Sequence, residues 1–232
     1  MAQNYDPHRS MADNPSYILD EYYEIIKNDS GQSEVLHFTK YFFQGSTIER
    51  KEYALGTPYY LNLEWHKGTL KMPGQQEVEG FLSYNQAFQR VSFKSAANAL
   101  KGMSVNPEYF TIGNTTFSRF PDFSIMKFAY FSSVTFEGAP LLCKHGKLQS
   151  NDFNLELLDP YNITDKKYTA EFLDTPSYYI IKNDKALKVE DKNYFYKQFG
   201  SGKKASKQYV SHENIDFMSE DDVKKLLTHL LN

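Results

Sequence analysis

The residues of this chain that could do chemistry are few, and they fall in pairs two positions apart. Cys143 and His145 form one pair. On a continuing strand, side chains at i and i+2 share a face. A thiol and an imidazole would then meet, as a thiolate nucleophile and its base must. Leu141 and Leu142 come just before the cysteine, and a lone Cys in apolar company reads more simply as a small buried residue. Glu64 and His66 form a second pair around the only tryptophan, Trp65. On a strand they share one face while Trp65 points to the other. A metal would want a further ligand, and none is suitably spaced, so Trp65 is expected to be a core anchor.

Other constellations are weaker. Glu77 and Glu79 have the composition of a glycosidase pair, yet strand neighbours two apart ordinarily decorate a solvated face. Asp152, Glu156, Asp159 and Asp165 form a loose acidic series without calcium-loop spacing. The basic stretch 192–207 contains Tyr194, Phe195 and Tyr196. It reads as an amphipathic helix with solvated lysines, or else as a contact to an acidic partner or lipid headgroups. The chain has no Gly-x-Ser-x-Gly elbow, Walker loop, dinucleotide fingerprint or His-Glu-x-x-His. No catalytic residue, metal ligand or cofactor is therefore assigned, and ligand-binding residues are left open.

The elements that would hold these residues have mostly a period of two. Residues 1–13 are polar and unpatterned, a disordered lead-in. Asn14-Pro15 suits the start of a helix, and Ile18, Tyr22, Ile25 and Ile26 recur at helical spacing, which predicts a short helix over 16–27. From 34 onward, strands alternate with turn residues every 8–12 positions, the signature of a sandwich or barrel. Strands are expected over 34–42, 47–55, 69–72, 77–84, 89–93, 109–112, 115–120, 125–131 and 134–143, the last with a bulge at 137–140. Residues 59–64 run extended, and 66–68 turn. A loop follows over 144–152, then strands over 168–173, 178–182 and 186–189. The period then turns helical, with Asp191 as cap and Gly200 as stop of one helix, and another over 203–214. Ser219 has N-cap character, with Asp222 at capping-box spacing and Val223, Leu226, Leu227 and Leu230 as a buried stripe.

Composition narrows the class. With 232 residues there is room for one large domain, expected as a single β-rich domain over 14–232 with C-terminal helices in 191–231. A formal net charge of −3 argues against a dedicated nucleic-acid binder. Eighteen Tyr and eighteen Phe favour pleated, half-buried surfaces. One cysteine allows no intrachain disulfide, and no stretch approaches the ~18 apolar residues of a membrane helix. The start Met-Ala-Gln-Asn suits a mature chain whose signal peptide has been removed. Sequons at Asn28, Asn114 and Asn162 carry no weight in a bacterial protein.

One run of phrases has a wider echo. Gly56-Thr57-Pro58-Tyr59-Tyr60-Leu61, then Glu64-Trp65-His66-Lys67-Gly68-Thr69-Leu70, then Leu82-Ser83-Tyr84-Asn85, resembles a loose group of uncharacterised secreted or periplasmic β-rich proteins of Bacteroidota-type bacteria. The tail from Tyr178 to Leu231 is similar to the same group. The resemblance implies envelope or extracellular residence and a β-rich body, and brings no catalytic residues. The leading expectation is a non-enzymatic cell-envelope protein that binds a protein partner in an outer-membrane or periplasmic assembly. It would be peripheral rather than integral, without nucleic acid. The alternatives are a small-ligand or glycan binder with an aromatic cavity or platform, and a thiol enzyme or hydrolase around Cys143 and His145.

Overall fold

A computed structural model of the chain describes residues 17–28, 31–43, 45–99, 102–127, 129–137, 139–150, 168–200 and 203–231. Contacts divide the chain into two compact units, Met1–Thr57 with Gln149–Phe172, and Pro58–Leu148 with Leu173–Asn232. The sequence reading drew no boundary within 14–232. The predicted 1–13 lead-in, its Asn14-Pro15 helix start and the acidic series 152–165 lie outside the described residues.

The first unit is built on strands β1 (Tyr17–Lys27), β2 (Ser33–Phe43) and β3 (Ser46–Leu55). The expected N-terminal helix is absent: residues 17–27 are β1, paired antiparallel to β2 almost from end to end. Ile and Tyr at helical spacing are also β-branched and aromatic residues, which suit a pleated surface equally. Eleven residues with a long partner strand beside them gain a full ladder of hydrogen bonds, and that pairing overrides the local period. Later strands β12 (Lys147–Ser150) and β13 (Tyr168–Asp174) complete a sheet of order β1-β2-β3-β13-β12. The boundaries between units fall within these two strands. β13 runs parallel to β3, with Ala170 opposite Ala54. Glu34, fully buried, accepts the Tyr168 hydroxyl at 2.6 Å, so the buried carboxylate keeps a hydrogen bond.

The second unit carries the larger sheet. Its strands are β4 (His66–Lys71), β5 (Glu77–Asn85), β6 (Arg90–Lys94), β7 (Met103–Val105), β8 (Tyr109–Ile112), β9 (Thr115–Ser118), β10 (Phe131–Phe136), β11 (Ala139–Lys144), β14 (Ser177–Lys182) and β15 (Lys185–Lys188). They pair antiparallel in the order β15-β14-β11-β10-β9-β8-β4-β5-β6-β7. The predicted mainly β fold with antiparallel sheets and C-terminal helices is present, and the sheets are not closed into a barrel. Five local expectations differ from the structure. Residues 60–62 form a 3-10 turn rather than extended chain, and 66–68 belong to β4 rather than to a turn. Ser124–Met126 is another 3-10 turn where a strand was expected. The expected bulge at 137–140 is a hairpin, with Phe136 opposite Ala139 and Glu137 at φ 46°. Part of the expected 144–152 loop is β12.

Helices α1 (Asn193–Lys197), α2 (Lys203–His212) and α3 (Glu220–Leu231) follow. Ser219 caps α3, its Oγ accepting the Asp222 N–H at 3.3 Å. The four predicted stripe residues of α3 are all buried. They pack with Leu141, Cys143, Tyr178, Leu187 and Val189 of the sheet. The alternate residues Leu142 and Tyr179 face a second cluster with Met126 and Phe131. The period of two in β11 and β14 thus sorts side chains between two apolar faces. A third cluster gathers Tyr84, Phe110, Phe117 and Tyr130, with Phe110 and Phe117 stacked at 4.9 Å.

Candidate functional site

Trp65, Glu64 and His66 do not form a site. Trp65 precedes β4, so strand alternation does not apply to it, and it is half-buried rather than a core anchor. Its indole lies against Gly102, where an added Cβ would stand 2.2 Å from the ring, and Lys94 Nζ sits 4.4 Å from the ring centroid. Glu64 is exposed. His66 Nε2 donates to the carbonyls of Tyr60 at 2.8 Å and Leu63 at 3.1 Å, which stitches the 3-10 turn to the start of β4. Glu77 accepts the Tyr109 hydroxyl at 2.7 Å on an exposed part of the sheet, and Glu79 is exposed. In the basic stretch, Phe195 and Tyr196 are buried while Tyr194 is exposed.

The stitched turn forms one wall of a cleft in the second unit, with a volume of about 400 Å³. Tyr60 and Asn62 enter it from the turn, Ser132 from β10, Lys147 from β12, Asp174 from the end of β13 and Glu220 from the first turn of α3. Cys143 and His145 line it too, so the structure does bring the sequence-predicted pair to one place. The chemistry differs from that expectation. The Cys143 thiol is buried, and burial pushes its pKa up to about 12, with a Tyr178 hydrogen bond pulling the other way. A thiol held protonated at neutral pH is a poor nucleophile. The group that meets His145 is Ser132, whose Oγ lies 2.7 Å from Nε2.

Two rings flank the imidazole, and a third neighbour anchors the His145 backbone. Tyr60 and Phe117 present ring contacts near perpendicular, with centroids 5.6 and 5.4 Å away. Gln89, at the turn between β5 and β6, donates from Nε2 to the His145 carbonyl at 2.9 Å. The same side chain donates to Gln86 O at 2.7 Å and accepts the Tyr84 hydroxyl at 2.9 Å. Gln89 takes φ 54° to reach this position. Burial lowers the His145 pKa below its ordinary value, and the fields of Asp174 and Glu220 oppose that only in part. Burial therefore favours the neutral ring.

The charged groups of the cleft are internally matched. Lys147, with its side chain almost wholly buried, donates to Asn62 Oδ1 at 2.7 Å and faces Asp174 at 3.8 Å. Burial lowers its pKa, while Asp174 acts in the opposite direction. Glu220 is bound by Lys224 at 2.6 Å. The chain matches no family model, no curated protein and no solved structure. Among the described residues no group of three or more His, Cys, Asp or Glu is placed to hold a metal ion, and no helix is long and apolar enough to cross a membrane.

Ser132, Lys147, Asp174 and Gln89 were not found by sequence reasoning. Each lies on a different element, and the register Ser132↔Cys143 joins positions eleven residues apart across a hairpin whose turn was read as a bulge. An unbroken strand over 134–143 leaves Ser132 outside it, with no partner strand to set it beside Cys143.

Proposed function

We propose that this protein binds a small, neutral, hydroxyl-bearing molecule of the saccharide or polyol class in the cleft around His145. The observation that carries this reading is the matching of charge within the cleft. Each of its two carboxylates, Asp174 and Glu220, has an ammonium of this chain close by, Lys147 and Lys224 respectively. An ionic ligand would have to displace a partner, whereas hydroxyls can add hydrogen bonds to carboxylate oxygens that still have acceptor capacity. A volume of about 400 Å³ is of the size of ligand pockets, and the half-buried Tyr60 adds an aromatic ring to its lining. Calorimetric titration with neutral mono- and disaccharides, and with their uronate and phosphate counterparts, tests the reading. Saturable binding of a neutral sugar, weakened at least tenfold in Tyr60→Ala, is the expected result. Preference for the anionic counterparts, or no binding in either set, contradicts it.

The phrase from Gly56 to Asn85 supports a second proposal, that the protein resides in a bacterial envelope and meets a protein partner there. Co-purification from the native envelope is its test. A protein recovered only from the cytoplasmic fraction, monomeric and alone, counts against it.

A further inference from the structure

Ser132 and His145 have the geometry of more than a structural hydrogen bond. The Oγ to Nε2 distance is 2.7 Å, and both side chains line the open cleft. Tyr60 and Phe117 flank the imidazole ring, and Gln89 anchors the His145 backbone through its carbonyl, which together position the ring beside the hydroxyl. With its hydrogen on Nδ1, the ring presents Nε2 as acceptor and the serine as donor, the orientation a nucleophile and its base require. Lys147 lines the same cleft, bonded to Asn62 and facing Asp174.

We propose that Ser132 is an acyl-accepting nucleophile with His145 as its base, and that the cleft hydrolyses a carboxylic ester carried by a small neutral polyol. This rests on the ligand class proposed above. Ser132 Oγ attacks the ester carbonyl carbon while its proton passes to His145 Nε2. The carbon–oxygen bond to the polyol breaks, and the departing alkoxide takes that proton. Water then attacks the acyl-serine, giving a proton to Nε2. The carboxylic acid leaves, and the proton returns to Ser132 Oγ. His145 is suited to this work because burial favours its neutral, proton-accepting form. The thiol of Cys143, opposite Ser132 in the hairpin register, takes no part.

The full chain is treated with a serine-directed fluorophosphonate, and the adduct is located by peptide mass. A single adduct on Ser132 is expected, absent in Ser132→Ala and formed at least tenfold more slowly in His145→Gln. Hydrolysis of p-nitrophenyl acetate by the wild type is expected to fall about 10²-fold or more in Ser132→Ala. Its pH profile should rise through a transition below 6.5 that His145→Gln removes. Wild-type protein whose Ser132 peptide stays unmodified under exhaustive treatment overturns the proposal, and that result needs no variant to fold. Hydrolysis unchanged in a folded Ser132→Ala also overturns it. Sugar binding that persists with Ser132 unlabelled overturns the acyl transfer alone; labelling of Ser132 without sugar binding overturns the ligand class alone.

Discussion

At the scale of single residues, the cleft depends on a few side chains that each satisfy several partners. Gln89 is the clearest. It joins the Tyr84 hydroxyl, the Tyr130 N–H, the Gln86 carbonyl and the His145 carbonyl through one amide. Gln89→Met keeps the length of the chain and the left-handed backbone burden but removes all four bonds. Because Tyr84 is fully buried, its hydroxyl then loses its acceptor, and a cost of about 1–3 kcal/mol is expected in urea unfolding. A loss under about 0.5 kcal/mol would mean the network is not satisfied as described. Trp65 offers an independent check. Gly102→Ala places a methyl 2.2 Å from the indole, so the ring must move, and the fluorescence of the single tryptophan should shift. An unchanged emission spectrum would contradict that packing. The sequence showed His145 and Cys143 as a pair but could not show which hydroxyl or thiol the imidazole meets. That depends on burial, which silences the thiol, and on a strand register that brings Ser132 alongside.

At the scale of elements, legibility followed the range of the forces. The strands over 178–182 and 186–189 were legible as neighbours because Asn183 and Asp184 between them are residues that tolerate positive φ, and they take 51° and 56°. Helix α3 was legible because its cap, acidic first turn and apolar stripe are all local. Ser219→Ala removes the bond to the Asp222 N–H, and a loss of about 1 kcal/mol is expected by thermal or chemical melting. A neutral substitution would show that the capping hydrogen bond contributes nothing. Strand β1 was not legible, since its helical spacing is real and only the β2 partner decides against it. The 3-10 turn at Tyr60–Asn62 was hidden for a related reason. Leu61 and Asn62 adopt φ 53° and 56°, a left-handed path held by the His66 bonds. The phrase around Trp65 therefore serves the site indirectly, by shaping a wall of the cleft.

At the scale of the whole molecule, the residues that line the cleft all belong to the second unit, drawn from the 3-10 turn at 60–62, strands β10, β11, β12, β13 and β14, and the first turn of α3. Burying a neutral imidazole there couples folding to pH. The folded His145 pKa lies below its unfolded value near 6.5, so the unfolded chain binds more protons as pH falls past that value. This stabilising contribution is complete above about pH 6.5 and is lost as pH falls toward the folded pKa. Tm should therefore decline as pH falls below about 6.5, with a shallower slope in His145→Gln. An identical slope in the variant would place the titration elsewhere. The central claim is that this cleft takes a neutral hydroxyl-bearing ligand. Amide chemical-shift mapping during titration with the tightest-binding neutral sugar tests it most directly. Perturbations centred on Ser132, His145, Lys147 and Asp174, with strands β1 to β3 unmoved, are predicted; saturable shifts centred elsewhere, or none at all, would contradict it.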